Sequence, residues 1–215
     1  MEQNNKMVIY QVFPRWFGNR QSQLIKNGDK ETNGVGKFSD FTPEALAKIK
    51  ELGATHIWYT GIIEHATCTD YSAYGIRKDH PTVVKGKAGS PYAIKDYYDV
   101  DPDLADNVPE RMHEFEALVK RTHEAGLQVI IDFVPNHVAR QYGSDVKPPY
   151  EKDLGQADNT THSFDPNNNF YYLPGDALHL SFETQTGENA YHEFPAKVTG
   201  NDCFTAYPGQ NDWYE

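Results

Sequence analysis

Leu127-Gln128-Val129-Ile130-Ile131-Asp132-Phe133-Val134-Pro135-Asn136-His137 divides into an apolar half and a polar half. Val129-Ile130-Ile131 is β-branched and apolar without alternation, the composition of a parallel strand buried on both faces. Pro135 lacks a backbone donor and fixes its own φ, so regular pairing stops near it. Such a strand delivers a carboxylate (Asp132), an amide (Asn136) and an imidazole (His137) to its C-terminal end. Parallel α/β folds build their ligand sites there. Taken singly, an Asp at a strand end is more often a loop cap than a catalyst, and a His more often a satisfied hydrogen-bonding residue. Three polar side chains within six residues, after an apolar strand that follows a helix, bring the functional reading level with the structural one.

The same grammar stands upstream. Thr42-Pro43-Glu44 opens a helix, with Thr42 as N-cap and Pro43 at the first helical position. Leu46, Ile49 and Leu52 are its expected buried side, and Gly53 its left-handed cap. Val108-Pro109-Glu110 starts a second helix with apolar Met112, Phe115, Leu118 and Val119, and Gly126 ends it. Strands are expected at 8–13, 55–60 and 128–134. Four residues separate Gly53 from Ile57 and Gly126 from Ile130, a weak internal repeat of helix, glycine, turn and strand. The long irregular stretches, Arg15 to Asp40 and Gly61 to Asn107, both follow strands, whereas the segments leading into strands are short. A loop of about 25 residues, where most run ~4–6, is usually functional or mobile. This asymmetry nominates the C-terminal face of the sheet as the functional face.

Asp132-Phe133-Val134-Pro135-Asn136-His137 resembles the first signature region of the α-amylase family of glycoside hydrolases, an Asp-x-x-x-Asn-His pattern at the end of the third barrel strand. Val8 to Pro14 resembles the family's first strand, Leu52 to Ile62 its helix-to-second-strand passage, and Tyr92-Ala93-Ile94-Lys95-Asp96-Tyr97-Tyr98 its Tyr-x-x-x-Asp-Tyr segment. The likeness runs from about residue 8 to 137. It implies an α/β fold comprising the first three βα units of a (β/α)8 TIM barrel. Residues 1–137 would be the N-terminal part of the catalytic barrel. Residues 138–215, with short aromatic runs between Gly, Asn and Pro clusters, would be a small β-rich insertion resembling the family's B domain. The chain would end before strand four.

By the same resemblance, His137 donates to hydroxyls of the sugar at the cleavage point, Tyr92 stacks on that ring, and Asp132 orients its neighbours within the site. Asn136 would offer an oxygen to calcium, a hard cation that takes six to eight oxygens. The family's catalytic nucleophile and acid follow later strands, so no catalytic residue is expected here. Residues 1–215 alone are expected to be inactive and poorly stable or self-associating, with the rest of the barrel supplied by a longer chain. One departure is Ser90-Pro91-Tyr92 where many members carry a His-Gly-Tyr-like run. The expected substrate is an α-glucan or oligosaccharide, cleaved by a retaining mechanism. A transglycosylase, or a catalytically silent carbohydrate-binding or scaffold protein, is the alternative.

The 20 basic and 31 acidic side chains give a net charge of −11, which disfavours non-specific nucleic-acid binding. No run approaches the ~18 apolar residues of a membrane span. Met1 to Lys6 lacks the apolar core of a signal peptide, so the protein is expected to be cytoplasmic, or exported with its signal removed. Cys68 and Cys203 match no metal spacing. Neither His-x-x-x-His nor His-Glu-x-x-His occurs, which weakens a metal-dependent hydrolase.

Overall fold

The apolar start of the chain pairs as β1 (Ile9–Val12). The long loop after it carries one helical turn, α1 (Lys30–Asn33), whose cap Asp29 accepts from the Thr32 N–H at 2.9 Å. Thr42 and Pro43 then begin α2 (Pro43–Glu51) as their chemistry dictates. The Thr42 hydroxyl accepts from the Ala45 N–H at 3.2 Å, and Pro43 sits where a missing donor costs nothing. Next come β2 (His56–Tyr59), β3 (Ile63–His65) and β4 (Ile94–Val100). A 3-10 turn at Val108–Glu110 leads into α3 (Arg111–Glu124), and β5 (Gln128–Ile131) follows. Gly53 and Gly126 end the two long helices with φ of 88° and 74°, the left-handed region glycine enters without penalty. The computed structural model describes residues 6–182, 187–199 and 204–209, so Cys203 and the terminal run 210–215 lie outside the described residues.

Two compact units interleave along the chain. The first comprises Met1–Glu64, Tyr71–Ile76 and Tyr97–Phe133. Its sheet has the order β1-β2-β5 with every pair parallel, Ile9 opposite His56 and Trp58 opposite Ile130. Three parallel strands joined by helix-bearing crossovers are the opening of a (β/α)8 barrel. Ile57, Tyr59, Leu46, Ile49, Leu118 and Leu127 form its core together with Phe38 and Phe41 from the end of the long loop. The Tyr59 hydroxyl meets the Thr122 hydroxyl at 2.7 Å, which satisfies both inside that core.

Three expectations about burial need correction. Leu52 is 73% exposed and Met112 37% exposed, whereas Leu46 and Leu118 are fully buried. Each misplaced residue lies six positions from a buried leucine, a rotation of about 240° that carries it off the core stripe. Val129-Ile130-Ile131 is not buried on both faces: Ile131 is 42% exposed and its two neighbours are half-buried. Among the described residues β5 is an edge strand of this sheet, so one flank has no neighbouring strand to cover it.

The loop between β1 and α2 is tied down by one carboxylate. Asp103 is fully buried. It is ion-paired with Arg15, accepts from the Tyr71 hydroxyl, and lies 3.7 Å from the Lys30 ammonium. Lys30 in turn donates to the Tyr71 oxygen at 2.7 Å. Lys37 donates to the carbonyls of Asp103 and Ala105 at 2.6 and 2.9 Å. Burial and the neighbouring carboxylates push the Tyr71 phenol far up, so it stays a donor.

The second unit comprises His65–Asp70, Arg77–Asp96 and Val134–Glu215. Among its described residues after 134, β6 (Tyr172–Leu173) and β7 (Ala196–Lys197) pair antiparallel, Tyr172 opposite Lys197. Turns and loops surround them, because Gly, Asn and Pro punctuate the sequence too closely for longer strands. Asp103→Ala should destabilise the first unit by about 3–5 kcal/mol, since it strands the buried Arg15 and Tyr71 without their shared acceptor. Chemical denaturation monitored by tyrosine and tryptophan fluorescence reads this directly, and a loss below about 1 kcal/mol would reject that role.

Candidate functional site

Parallel strands all present their C-terminal ends at one edge, and there the first unit gathers polar side chains. Asp132, the first residue past β5, accepts from the Trp58 indole N–H and, at 3.2 Å, from the Gly61 N–H. Both donors come from the end of β2. Gln11 of β1 donates to the Thr60 hydroxyl at 3.0 Å along the same edge. Asp132 is therefore held by both its oxygens. That arrangement suits an orienting carboxylate better than a nucleophile, which needs an oxygen free to attack.

Tyr92, Asn136 and His137 all belong to the second unit, and three alanines bring them together. Ala66, Ala93 and Ala139 are buried against one another and Val84. Their small side chains allow close backbone approach. The Ala66 N–H donates to the Ala93 carbonyl at 2.9 Å and the Ala139 N–H to the Ile94 carbonyl at 2.8 Å. Tyr92 directly precedes one of these alanines and His137 stands two before another. The His137 imidazole is hydrogen-bonded to the Tyr92 backbone. Burial outweighs that bond and lowers the imidazole pKa below its usual 6.5, so the ring is neutral at pH 7 and its one N–H is the donor to the Tyr92 backbone. The Tyr92 ring is 42% exposed, and Ser90 supports it: the Ser90 hydroxyl accepts from the Tyr92 N–H at 3.3 Å. The Asn136 amide nitrogen lies 3.2 Å from His137 Nδ1, which leaves its carbonyl oxygen for other partners.

Residues 11–187 match the family described as the alpha-amylase catalytic domain. The chain belongs to the α-amylase family. Maltase A1 of Drosophila melanogaster is 28% identical over 60% of this chain and 16% of its own length. The cyclomaltodextrinase of Geobacillus thermopakistaniensis is 30% identical over 63% of this chain and 20% of its own. The mouse amino acid transporter heavy chain SLC3A1 is 29% identical over 62% of this chain and 14% of its own. A crystal structure of an alpha-amylase from Lactobacillus plantarum aligns with a TM-score of 0.43 and 29% identity, covering 63% of this chain and 24% of that one. This α-amylase-family chain thus spans about a sixth of the Drosophila maltase it matches. The family match also extends beyond His137, into the region where the sequence motifs thin out.

Oxygen donors of the kind a hard cation takes occur in both units. In the first, buried Glu64 and Asp99 have carboxylate oxygens within 4.8 Å of one another. Arg111 already grips Asp99, with Nε 2.9 Å from each oxygen, so a cation there meets a competing charge. In the second unit Asn136 contributes one exposed amide oxygen, a fitting but single donor among the six to eight that calcium takes.

Sequence reasoning did not find Trp58, Gln11 and the alanine cluster. A glutamine inside an apolar strand was an available signal for Gln11. The alanines, far apart in sequence, gave none.

The segment carrying His137 is anchored just beyond it by Arg140. This guanidinium is ion-paired with Glu193, donates Nε to Glu193 Oε2 at 3.1 Å, and donates to the Lys197 carbonyl at 2.8 Å. Burial alone would raise the Glu193 pKa, but Arg140 and Lys197 outweigh it and hold the carboxyl below its usual 4.5. A folded-state pKa below the unfolded one means that the stabilisation is complete above about pH 4.5 and is lost as pH falls through the folded value. Thermal unfolding followed from pH 7 down to 3 should show that loss. Glu193→Gln should lower stability by about 3–5 kcal/mol at pH 7 and flatten the acid limb; parallel acid limbs would remove Glu193 as its cause.

Proposed function

We propose that this chain is the N-terminal part of an α-amylase-family glycosidase that acts on α-linked glucans or oligosaccharides with retention of configuration. The observation that carries this is the pairing of an exposed Tyr92 ring with a neutral His137 hydrogen-bonded to its backbone, in a chain of this family. A phenol ring offers a flat apolar platform for a pyranose, and the imidazole would donate to a sugar hydroxyl by exchanging its bond to the Tyr92 backbone for one to the sugar. Asp132, gripped by Trp58 and Gly61, serves in this reading as an orienting carboxylate. In this reading residues 1–137 are barrel, residues 138–215 are a B-domain-like insertion, and Asn136 is one ligand of a calcium ion. Calcium bound there would hold loop backbone rigid through oxygen coordination.

Retention requires a nucleophile and a general acid about 5–5.5 Å apart. By resemblance to the family, in which both follow later barrel strands, they are assigned to later parts of a longer chain. Maltase and cyclomaltodextrinase relatives support hydrolysis. The transporter heavy chain among the relatives favours a second reading, a scaffold protein without catalysis. Turnover of a maltooligosaccharide by the full-length protein separates the two, and analysis of the products separates water from sugar as the acceptor.

In the full-length protein, His137→Ala should lower kcat/KM for maltooligosaccharides by ~10²-fold, the scale of one lost transition-state donor. Unchanged kinetics would reject that role. Residues 1–215 expressed alone should show no turnover and should self-associate, because Ile131 and Ile9 are exposed on edge strands at 42% and 46%. A monomeric elution with a cooperative melt would refute the second expectation.

A further inference from the structure

Gly89 lies against the carbonyl of Ala66. A Cβ built on it would stand 1.7 Å from that oxygen, 2.9 Å from the carbonyl carbon and 3.0 Å from His65 Nδ1. None of these can yield easily. Two of the atoms are backbone, and His65 is buried with the same Nδ1 3.0 Å from the Ala66 oxygen. The glycine also has φ of 80°, where L side chains are strained. Backbone bonds fasten the loop to either side of this contact. The Cys68 N–H donates to the Lys87 carbonyl at 2.9 Å, and the Ala66 N–H to the Ala93 carbonyl at 2.9 Å. Between them the Ala93 N–H donates to the Ser90 carbonyl at 3.0 Å, closing a four-residue turn with Tyr92 at its third position. The Ser90 hydroxyl takes the Tyr92 N–H at 3.3 Å within that turn. The backbone position from which the Tyr92 ring projects is therefore set by how the turn is seated.

We propose that Gly89 and Ser90 are positioning residues for Tyr92: flush contact of Gly89 with the Ala66 carbonyl seats the 90–93 turn, and the Ser90 hydroxyl fixes Tyr92 within it. The consequence for turnover rests on the function proposed above; the consequence for the position of Tyr92 does not. Gly175 provides the control for backbone strain. It has φ of 84° in the same unit, and a Cβ there meets nothing within 4 Å.

The test places 3-fluorotyrosine at position 92 of the full-length protein and compares Gly89→Ala, Ser90→Ala and Gly175→Ala by fluorine-19 NMR. The expected result is a displaced resonance in the first two and none in Gly175→Ala. Should Gly89→Ala fail to accumulate, Ser90→Ala decides, because removing a hydroxyl creates no clash. A resonance unmoved in the folded variants, or moved equally in Gly175→Ala, overturns the proposal. In kinetics on a maltooligosaccharide, Gly89→Ala should lower kcat/KM about 10-fold, within the ~10²-fold that a 1 Å misplacement can cost. Most of that fall should vanish in a Tyr92→Ala background; full additivity overturns action through Tyr92. Absence of any turnover would count against the proposed function and leave the fluorine measurement to decide the positioning.

Discussion

Parallel pairing of β1, β2 and β5 is the constraint on which the first unit depends. Strands that run the same way cannot be joined by hairpins, so each connection must return along the sheet, here through α2 and α3. The returns are short at the strand starts, where Gly53 and Gly126 turn the chain from helix to strand. All freedom in length is displaced to the opposite edge. Asp132, Trp58, Gly61, Gln11 and Thr60 meet there because strand ends must meet there, and their hydrogen bonds join all three strands. The polar edge follows from the ladder, and a ligand site needs only that loops be built upon it.

Long loops have many alternative positions, and buried charge restricts them in both units. Asp103 fastens Arg15, Lys30 and, through its backbone, Lys37, so the loop after β1 is attached at several points. In the second unit, fully buried Lys95 and Asp79 pair at 3.2 Å, and Asp79 also accepts from the Thr67 N–H at 3.1 Å. Arg140 and Glu193 repeat the device beside the His137 segment. Desolvated ion pairs contribute little net stability, yet breaking one costs several kcal/mol. Such pairs make alternative loop positions expensive, which is what residues held on loops require.

The family match comes from sequence over residues 11–187. The geometry rests on atoms: an imidazole bonded to the backbone of an exposed tyrosine, and a carboxylate gripped by an indole and an amide. Ser90-Pro91 in place of the family's His-Gly-like pair takes on a physical meaning in this setting. The Ser90 hydroxyl caps the turn that presents Tyr92, a supporting role within the loop.

The sequence by itself determined the elements and their direction. Caps, glycine stops and β-branched runs act through neighbours a few residues away, so Thr42, Pro43, Gly53 and Val129 to Ile131 were legible in isolation. Polar Asp132, Asn136 and His137 were legible as a group because six residues hold them all. Only the tertiary structure decided the rest, for two physical reasons. Burial depends on what covers a face, so Leu52, Met112 and Ile131 are exposed despite apolar side chains. Close contact depends on residues tens of positions apart: Ala66 with Ala93 and Ala139, Asp103 with Arg15, and Gly89 against the Ala66 carbonyl. No local pattern marks such partners, because each is selected by the space that the others leave.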